Sequence, residues 1–199
     1  TGVAAEGGAP VVKETCESTE KCKEQHPNEK WVCLKPGEDP CVKLTSPECD
    51  IVSPTWDKLQ PGSPIILGTV MSLDIKEADG TLVPSPYDIA QTKSIALAEE
   101  EFQSQTGGIV FPGKTERSPI VTVTCNAKSD PNRISAALDH LKSIGANSVI
   151  MRSTVDVKVA MTKAIANKQL IYATDVPAAS ITGSQGLLWH SMSDLTTTI

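Results

Sequence analysis

Short polar residues stand where three apolar runs of strand length stop. Ser72 and Asp74 follow PIILGTVM, Ser153, Thr154 and Asp156 follow SVIMR, and Thr174 and Asp175 follow LIYA. Hydroxyls, carboxylates and helix-start amides suit reversible binding of a small polar molecule. Ser153 or Thr154 also has a purely structural use, as the cap of the helix that follows.

Catalytic arrangements are absent from these positions. The first of the three runs is not followed by a glycine-rich phosphate cradle, so nucleotide chemistry is not expected there. No G-x-S-x-G elbow occurs, and Ser184, between Gly183 and Gly186, reads as a turn serine. Asp139 and His140 are helix neighbours that point in different directions, which makes His140 a surface histidine. His190, Ser191 and Asp194 are too close in sequence to act as a triad without a separate scaffold to orient them. The chain reads as a binding protein, not an enzyme, and no cofactor is expected.

The six cysteines carry a different message. Cys16, Cys22, Cys33, Cys41 and Cys49 crowd the first quarter, and Cys125 stands alone. The surrounding sequence is rich in Lys, Glu and Pro and cannot bury enough apolar surface unaided, so disulfides are expected to staple it. The spacings contain no C-x-x-C pair of the zinc or redox kind. Because five is odd, one cysteine of the cluster must reach Cys125 or another chain. Cys49 lies nearest and is the expected partner, with the other pairings open among 15 connectivities. Such bonds require an oxidising compartment.

Bulk properties narrow the field further. A formal charge of −6 repels a phosphate backbone, so nucleic acid is not an expected partner. With only three Trp, two Tyr and two Phe, a site built on stacked rings has little to use. The Lys/Glu mixture over residues 13–30 reads as a solvated face. No stretch approaches the roughly 18 apolar residues of a membrane-spanning helix. Residues 1–12 read as a flexible tether of the kind that separates a folded domain from a cleavage site or lipid anchor.

The elements that must hold the polar strand ends follow from periodicity. Residues 13–50 form the cysteine-rich module, 51–63 a proline-rich linker, and 64–199 an α/β domain. Strands are expected at 64–72, 119–125, 148–151, 169–173 and about 187–190. Between them lie helices over 87–105, where Ile89, Ile95, Ala96, Ala98 and Phe102 recur at helical intervals, then about 131–144 and 155–167. Ser129, Asp130 and Pro131 start the second helix, and Gly145 ends it. Alternating strands and helices imply a doubly wound parallel sheet. Its ligands bind at the carboxyl ends of the strands, after Ser72, Arg152 and Ala173.

GTVMS, IALAEEEFQSQTGGI, TVTCNAKSDPNRISAALDHL, LIYATDVPAASIT and LLWHSMSD, in this order and spacing, resemble the type I periplasmic solute-binding proteins. The likeness is to the branched-chain amino-acid class and related receptor ligand-binding domains. It covers residues 64–194, about two thirds of the chain, and corresponds to the first of two Rossmann-like lobes that close on ligand by a hinge. The resemblance implies that the second lobe is missing from this chain. It also implies that Ser153 and Thr154 hold a ligand carboxylate and that Ala173, Thr174 and Asp175 hold its amine.

The expected function is therefore extracytoplasmic solute binding in the periplasm or at the cell surface. The solute would be an amino acid or similar small polar ligand, and the partner an ABC importer membrane subunit, with an N-terminal lipid as a possible tether. Two alternatives have different observables. A structural or assembly protein would dock partners through the disulfide module, and a receptor ectodomain would continue into a membrane helix and a signalling domain.

Overall fold

The computed structural model describes residues 15–176 and 183–191. The expected tether at 1–12, the side chain of Thr154 and Asp194 lie outside what it describes.

The cysteine-rich segment contains α1 (Thr19–Gln25) and a short hairpin of β1 (Trp31–Val32) with β2 (Val42–Lys43). Ser18 caps α1 by accepting from the Lys21 amide at 3.2 Å. Disulfides Cys16–Cys33 and Cys22–Cys41 staple it around a small buried cluster. The module is not a separate body, because Val32 and Leu44 belong to the main core. His140, expected at the surface, is only partly exposed, and its Nε2 lies 2.9 Å from the Leu44 carbonyl oxygen, joining module to domain. Among the module's charges, Glu29 pairs with Lys43 and accepts from the Trp31 indole at 2.9 Å.

The expected linker needs correction at its start. Cys49–Ser53 is a strand, β3, paired antiparallel with a central strand of the main sheet. It is short and fenced by Pro47 and Pro54, so its turn residues hide it. Its buried Cys49 and Val52 and the Cys49–Cys125 disulfide hold it in place.

The main sheet then builds from β4 (Ile65–Met71), followed by the hairpin β5 (Asp74–Lys76) and β6 (Leu82–Pro84) and by helix α2 (Pro86–Thr106). A second hairpin, β7 (Ile109–Val110) with β8 (Arg117–Ser118), leads into β9 (Ile120–Asn126) and α3 (Pro131–Ser143). Then come β10 (Ser148–Met151), α4 (Thr154–Asn167), β11 (Leu170–Ala173) and β12 (Leu188–His190). The six-stranded order is β12-β11-β10-β4-β9-β3, with every pair parallel except β9 with β3. The winding reverses at β4: α2 carries the chain to β9 on one side, and α3 carries it back to β10 on the other. The switch point therefore lies between β4 and β10.

The two faces of the sheet differ in chemistry. Registered across the strands, Val52, Val123, Gly68, Val149 and Ile171 form one face, which packs under α3 and α4 with Leu138, Leu141 and Ala160 in a single core. Gly68 is needed there, since a β-carbon at that position would stand 2.8 Å from Leu141 Cδ1. The opposite face mixes Ile65, Leu67, Ile120 and Ile150 with Ser53, Thr122, Thr124 and Thr69, and the last two share a 2.6 Å hydrogen bond.

Helix α2 covers that second face, with Ile89, Ile95 and Ala96 of the expected residues half-buried. Ala98 and Phe102 are exposed, whereas Asp88, Glu99 and Gln103 point inward. The periodicity located the helix and missed its buried polar residues, which meet the threonines and serine of the sheet face beneath it.

Candidate functional site

Four segments converge at the carboxyl ends of β4, β9, β10 and β11. The first contact crosses the switch point. Ser72 donates to Asp156 Oδ2 at 3.0 Å and accepts from the Ser129 amide at 2.9 Å, so a single hydroxyl joins β4 to the starts of α3 and α4. Burial pushes the Asp156 carboxyl above its ordinary value; the Ser72 hydrogen bond opposes this, the nearby Asp88 adds to it, and Arg152 works against it.

Asn126, at the end of β9, fixes the neighbouring loop. Its Oδ1 accepts from the amides of Leu73 and Lys128 at 3.1 and 3.2 Å, and its Nδ2 donates to Asp74 at 2.7 Å. Asp74 is thereby tied down. At the start of α4, Ser153 accepts from the Asp156 amide at 3.5 Å and serves as the helix cap.

The charged centre is Arg152, directly after β10. Its Nε donates to Asp88 Oδ1 at 2.7 Å and its second terminal nitrogen to Asp88 Oδ2 at 3.4 Å. The remaining nitrogen reaches Asp175 Oδ2 at 3.4 Å, and the Tyr87 ring centroid lies 5.8 Å from the guanidinium carbon. The two ion pairs are unequal. Asp88 is buried and forked around the guanidinium, while Asp175 is half exposed and held by one long contact. A buried, geometrically matched pair is fixed; an exposed one exchanges readily with solvent or a solute.

Thr174 completes the rim. Its hydroxyl accepts from Gln91 Nε2 at 2.9 Å, which ties α2 to the end of β11, and its carbonyl accepts from Ser191 at 2.6 Å.

The residues singled out by sequence thus meet at one rim in two tiers. Ser153, Thr174 and Asp175 retain access to solvent, whereas Ser72 and Ala173 are buried and form the floor beneath them. Asp88, Gln91 and Arg152 were not anticipated. Arg152 carried one available signal, a lone cation at the end of a strand. Asp88 carried a weaker one, an acid in the first turn of a helix announced by Ser85 and Pro86.

Residues 108–115, GIVFPGKT, fit the G-x-x-x-x-G-K-[ST] pattern of a phosphate loop. Their setting is wrong for that use: they follow helix α2 and turn within the β7–β8 hairpin instead of opening a helix. Among the described residues, no group of His, Cys, Asp and Glu is placed to hold a metal ion.

No known family profile and no curated protein matches this chain in sequence. Solved structures do match. The isoleucine complex of LivJ, the branched-chain amino acid transporter substrate-binding protein of Streptococcus pneumoniae, aligns with a TM-score of 0.52 and 18% identity, over 66% of this chain and 34% of that one. An ABC-type branched-chain amino acid transporter protein of Rhodopseudomonas palustris aligns at 0.48 and 17%, over 65% and 33%. A periplasmic binding protein of Burkholderia mallei aligns at 0.49 and 14%, over 66% and 32%. The chain thus spans about a third of the length of these proteins. The likeness to the pneumococcal protein is one of fold, that of a single lobe of a type I periplasmic binding protein.

Proposed function

We propose that this chain supplies one ligand-facing lobe of an extracytoplasmic solute-binding protein, and that its solute is a small zwitterion of the amino-acid class. The observation that carries this reading is the unequal pairing of Arg152. Asp88 aims the guanidinium, and the exposed Asp175 contact at 3.4 Å is the one a solute can replace. A ligand carboxylate would take that guanidinium edge together with the Ser153 hydroxyl and the first amides of α4 from Thr154 onward. The freed Asp175 and Thr174 would take the ammonium group.

The fold supports this reading, since open α/β sheets bind at the switch point where these groups stand. The three disulfides fit an oxidising compartment. Coupling to an ABC importer, a lipid tether through residues 1–12 and a second lobe closing over the solute are parts of the same proposal. A lone lobe buries only part of a ligand, so affinity is expected in the millimolar range. A thermal-shift screen of the chain against the common amino acids tests the idea. One or a few should raise the midpoint in a saturable way; no shift with any of them counts against it.

A second reading has its own observation. The strand-end groups already satisfy one another, Ser72 with Asp156 and Arg152 with two carboxylates. That closure favours a structural or assembly protein whose lobe has stopped binding solutes. Stoichiometric capture of a protein partner by a chain inert to every amino acid would support it.

A further inference from the structure

Helix α2 is seated on the sheet differently from the two helices of the opposite face. α3 buries Ile134, Ala137, Leu138 and Leu141, and α4 buries Val157, Ala160, Met161 and Ala164. The buried side chains of α2 are Asp88, Glu99 and Gln103, all polar, while Ile89, Ile95 and Ala96 are half-buried and Tyr87, Leu97 and Phe102 are exposed. An element with so few buried apolar contacts is among the first to open, and its hold rests on what its polar groups meet.

Each of the three meets something different. Asp88 is forked around the Arg152 guanidinium, and Gln103 accepts from the Ile120 amide at 3.3 Å. Glu99, 6% exposed, has only the neutral hydroxyls of Ser53 and Thr122 against it, outside hydrogen-bond geometry. The strands beneath bring no cation: β4 and β9 contain no charged side chain, and Asp50 of β3 is exposed. On α2 itself Glu100 adds repulsion and Lys93 is exposed. Residues 53–60 contribute the exposed Asp57 and Lys58, and Lys58 is already paired with Glu100 at 3.6 Å. A protonated carboxyl is tolerated in such a place, whereas an ionised one stays buried without a counter-charge. Burial accordingly pushes the Glu99 carboxyl up to about 7.

α2 is also a stiff rod. From Tyr87 to Thr106 it contains neither glycine nor proline, so it has no built-in hinge. Near its start, Asp88 and Gln91 hold Arg152 and Thr174 of the strand-end rim at 2.7 and 2.9 Å. Glu99 stands about 16 Å beyond Asp88, at a rise of 1.5 Å per residue. Whatever unseats one end therefore pulls on the other.

We infer that α2 is a proton-controlled latch: with Glu99 neutral it lies on the sheet and holds Arg152 and Thr174 in place, and with Glu99 ionised it lifts away more readily and loosens both. The latch is a property of the free chain, and only its effect on a solute rests on the function proposed above. On that reading, the seated, proton-bound form is the one that receives the solute.

The test is amide hydrogen exchange of the whole chain at pH 5 and pH 8, corrected for intrinsic exchange rates. With Glu99 at about 7 when seated and at its ordinary 4.5 when hydrated, opening of residues 95–103 should rise roughly 70-fold between the two pH values. These amides should exchange faster than the buried ones of α3 at both pH values, the mark of opening short of global unfolding. Glu99→Gln, which keeps the shape and cannot ionise, should abolish the rise, and Glu100→Gln should retain it. Gln91→Ala, which loosens only the rim end, should raise exchange at residues 95–103 about three- to fivefold at either pH. Opening that does not change with pH in the wild type, or a rise that persists in Glu99→Gln, overturns the inference. So does a Gln91→Ala protein in which residues 95–103 are unchanged, since the rim would then not be tied to the acid. None of these readouts involves a solute, so the latch and the solute proposal stand or fall separately.

Discussion

The Ser72 hydroxyl donates to the Asp156 carboxylate at 3.0 Å across 84 positions of sequence and accepts from the Ser129 amide at 2.9 Å. One buried side chain thereby sets the distance between β4 and the helix starts that frame the switch point. Ser72→Ala removes both bonds and leaves a buried carboxylate without its donor. Chemical denaturation should register a loss of about 1–3 kcal/mol. An unchanged midpoint would mean that the hydroxyl does not organise the floor of the site.

Glu99 makes stability depend on pH in a specific direction. Burial raises its carboxyl from 4.5 to about 7, with Ser53 and Thr122 close enough to temper the effect but outside hydrogen-bond geometry. A raised carboxyl holds its proton longer in the folded chain than in the unfolded one. Its contribution is therefore favourable at low pH and is lost as pH rises from about 4.5 to about 7. Relative to Glu99→Gln, the wild type should lose stability across that window, by a ceiling of about 3 kcal/mol. Parallel pH profiles for the two proteins would contradict the placement of Glu99.

The disulfides give a covalent prediction. Non-reducing peptide mapping should yield Cys16–Cys33, Cys22–Cys41 and Cys49–Cys125 and no free thiol. Replacing Cys49 and Cys125 together by Ala should cost about 2–4 kcal/mol, because the bond closes a long loop and pins the edge strand β3. Any other pairing would detach β3 from the account.

Gly68 probes the packing of α3. A β-carbon there would meet both methyls of Leu141, at 2.8 and 3.1 Å, and Val149 Cγ2 at 3.2 Å. Gly68→Ala should destabilise by about 1–3 kcal/mol through overpacking, measured by denaturant midpoint. A neutral result would show that α3 stands farther from β4.

The parts of this architecture that were legible in sequence are those built by local rules. β4, β9 and β10 are apolar, β-branched runs, and α3 is announced by Asp130 and Pro131, which occupy its cap and first turn. The Cys49–Cys125 bond, 76 positions apart, was legible from the odd count in the cluster, but β3 itself was hidden because it is five residues long and flanked by prolines. On α2, the buried Asp88, Glu99 and Gln103 were missed because helical periodicity is read from apolar residues, whereas part of the facing sheet is Ser53 and Thr122. At the candidate site, the strand-end positions of Ser153, Thr174 and Asp175 followed from the alternation of strands and helices. Arg152 and Asp88 did not, since 64 positions separate them and only the fold brings the acid to the cation.

The central claim is that Arg152 and Asp175 together receive a zwitterionic solute, and calorimetry tests it most directly. The chain should be titrated with the amino acid that scores highest in the thermal screen, alongside Asp175→Asn and Arg152→Ala. The account predicts saturable heat for the wild type and a loss of at least about tenfold in affinity for each variant, since each removes one charge-assisted contact. Equal affinity in all three proteins, or heat from none of them, would contradict it.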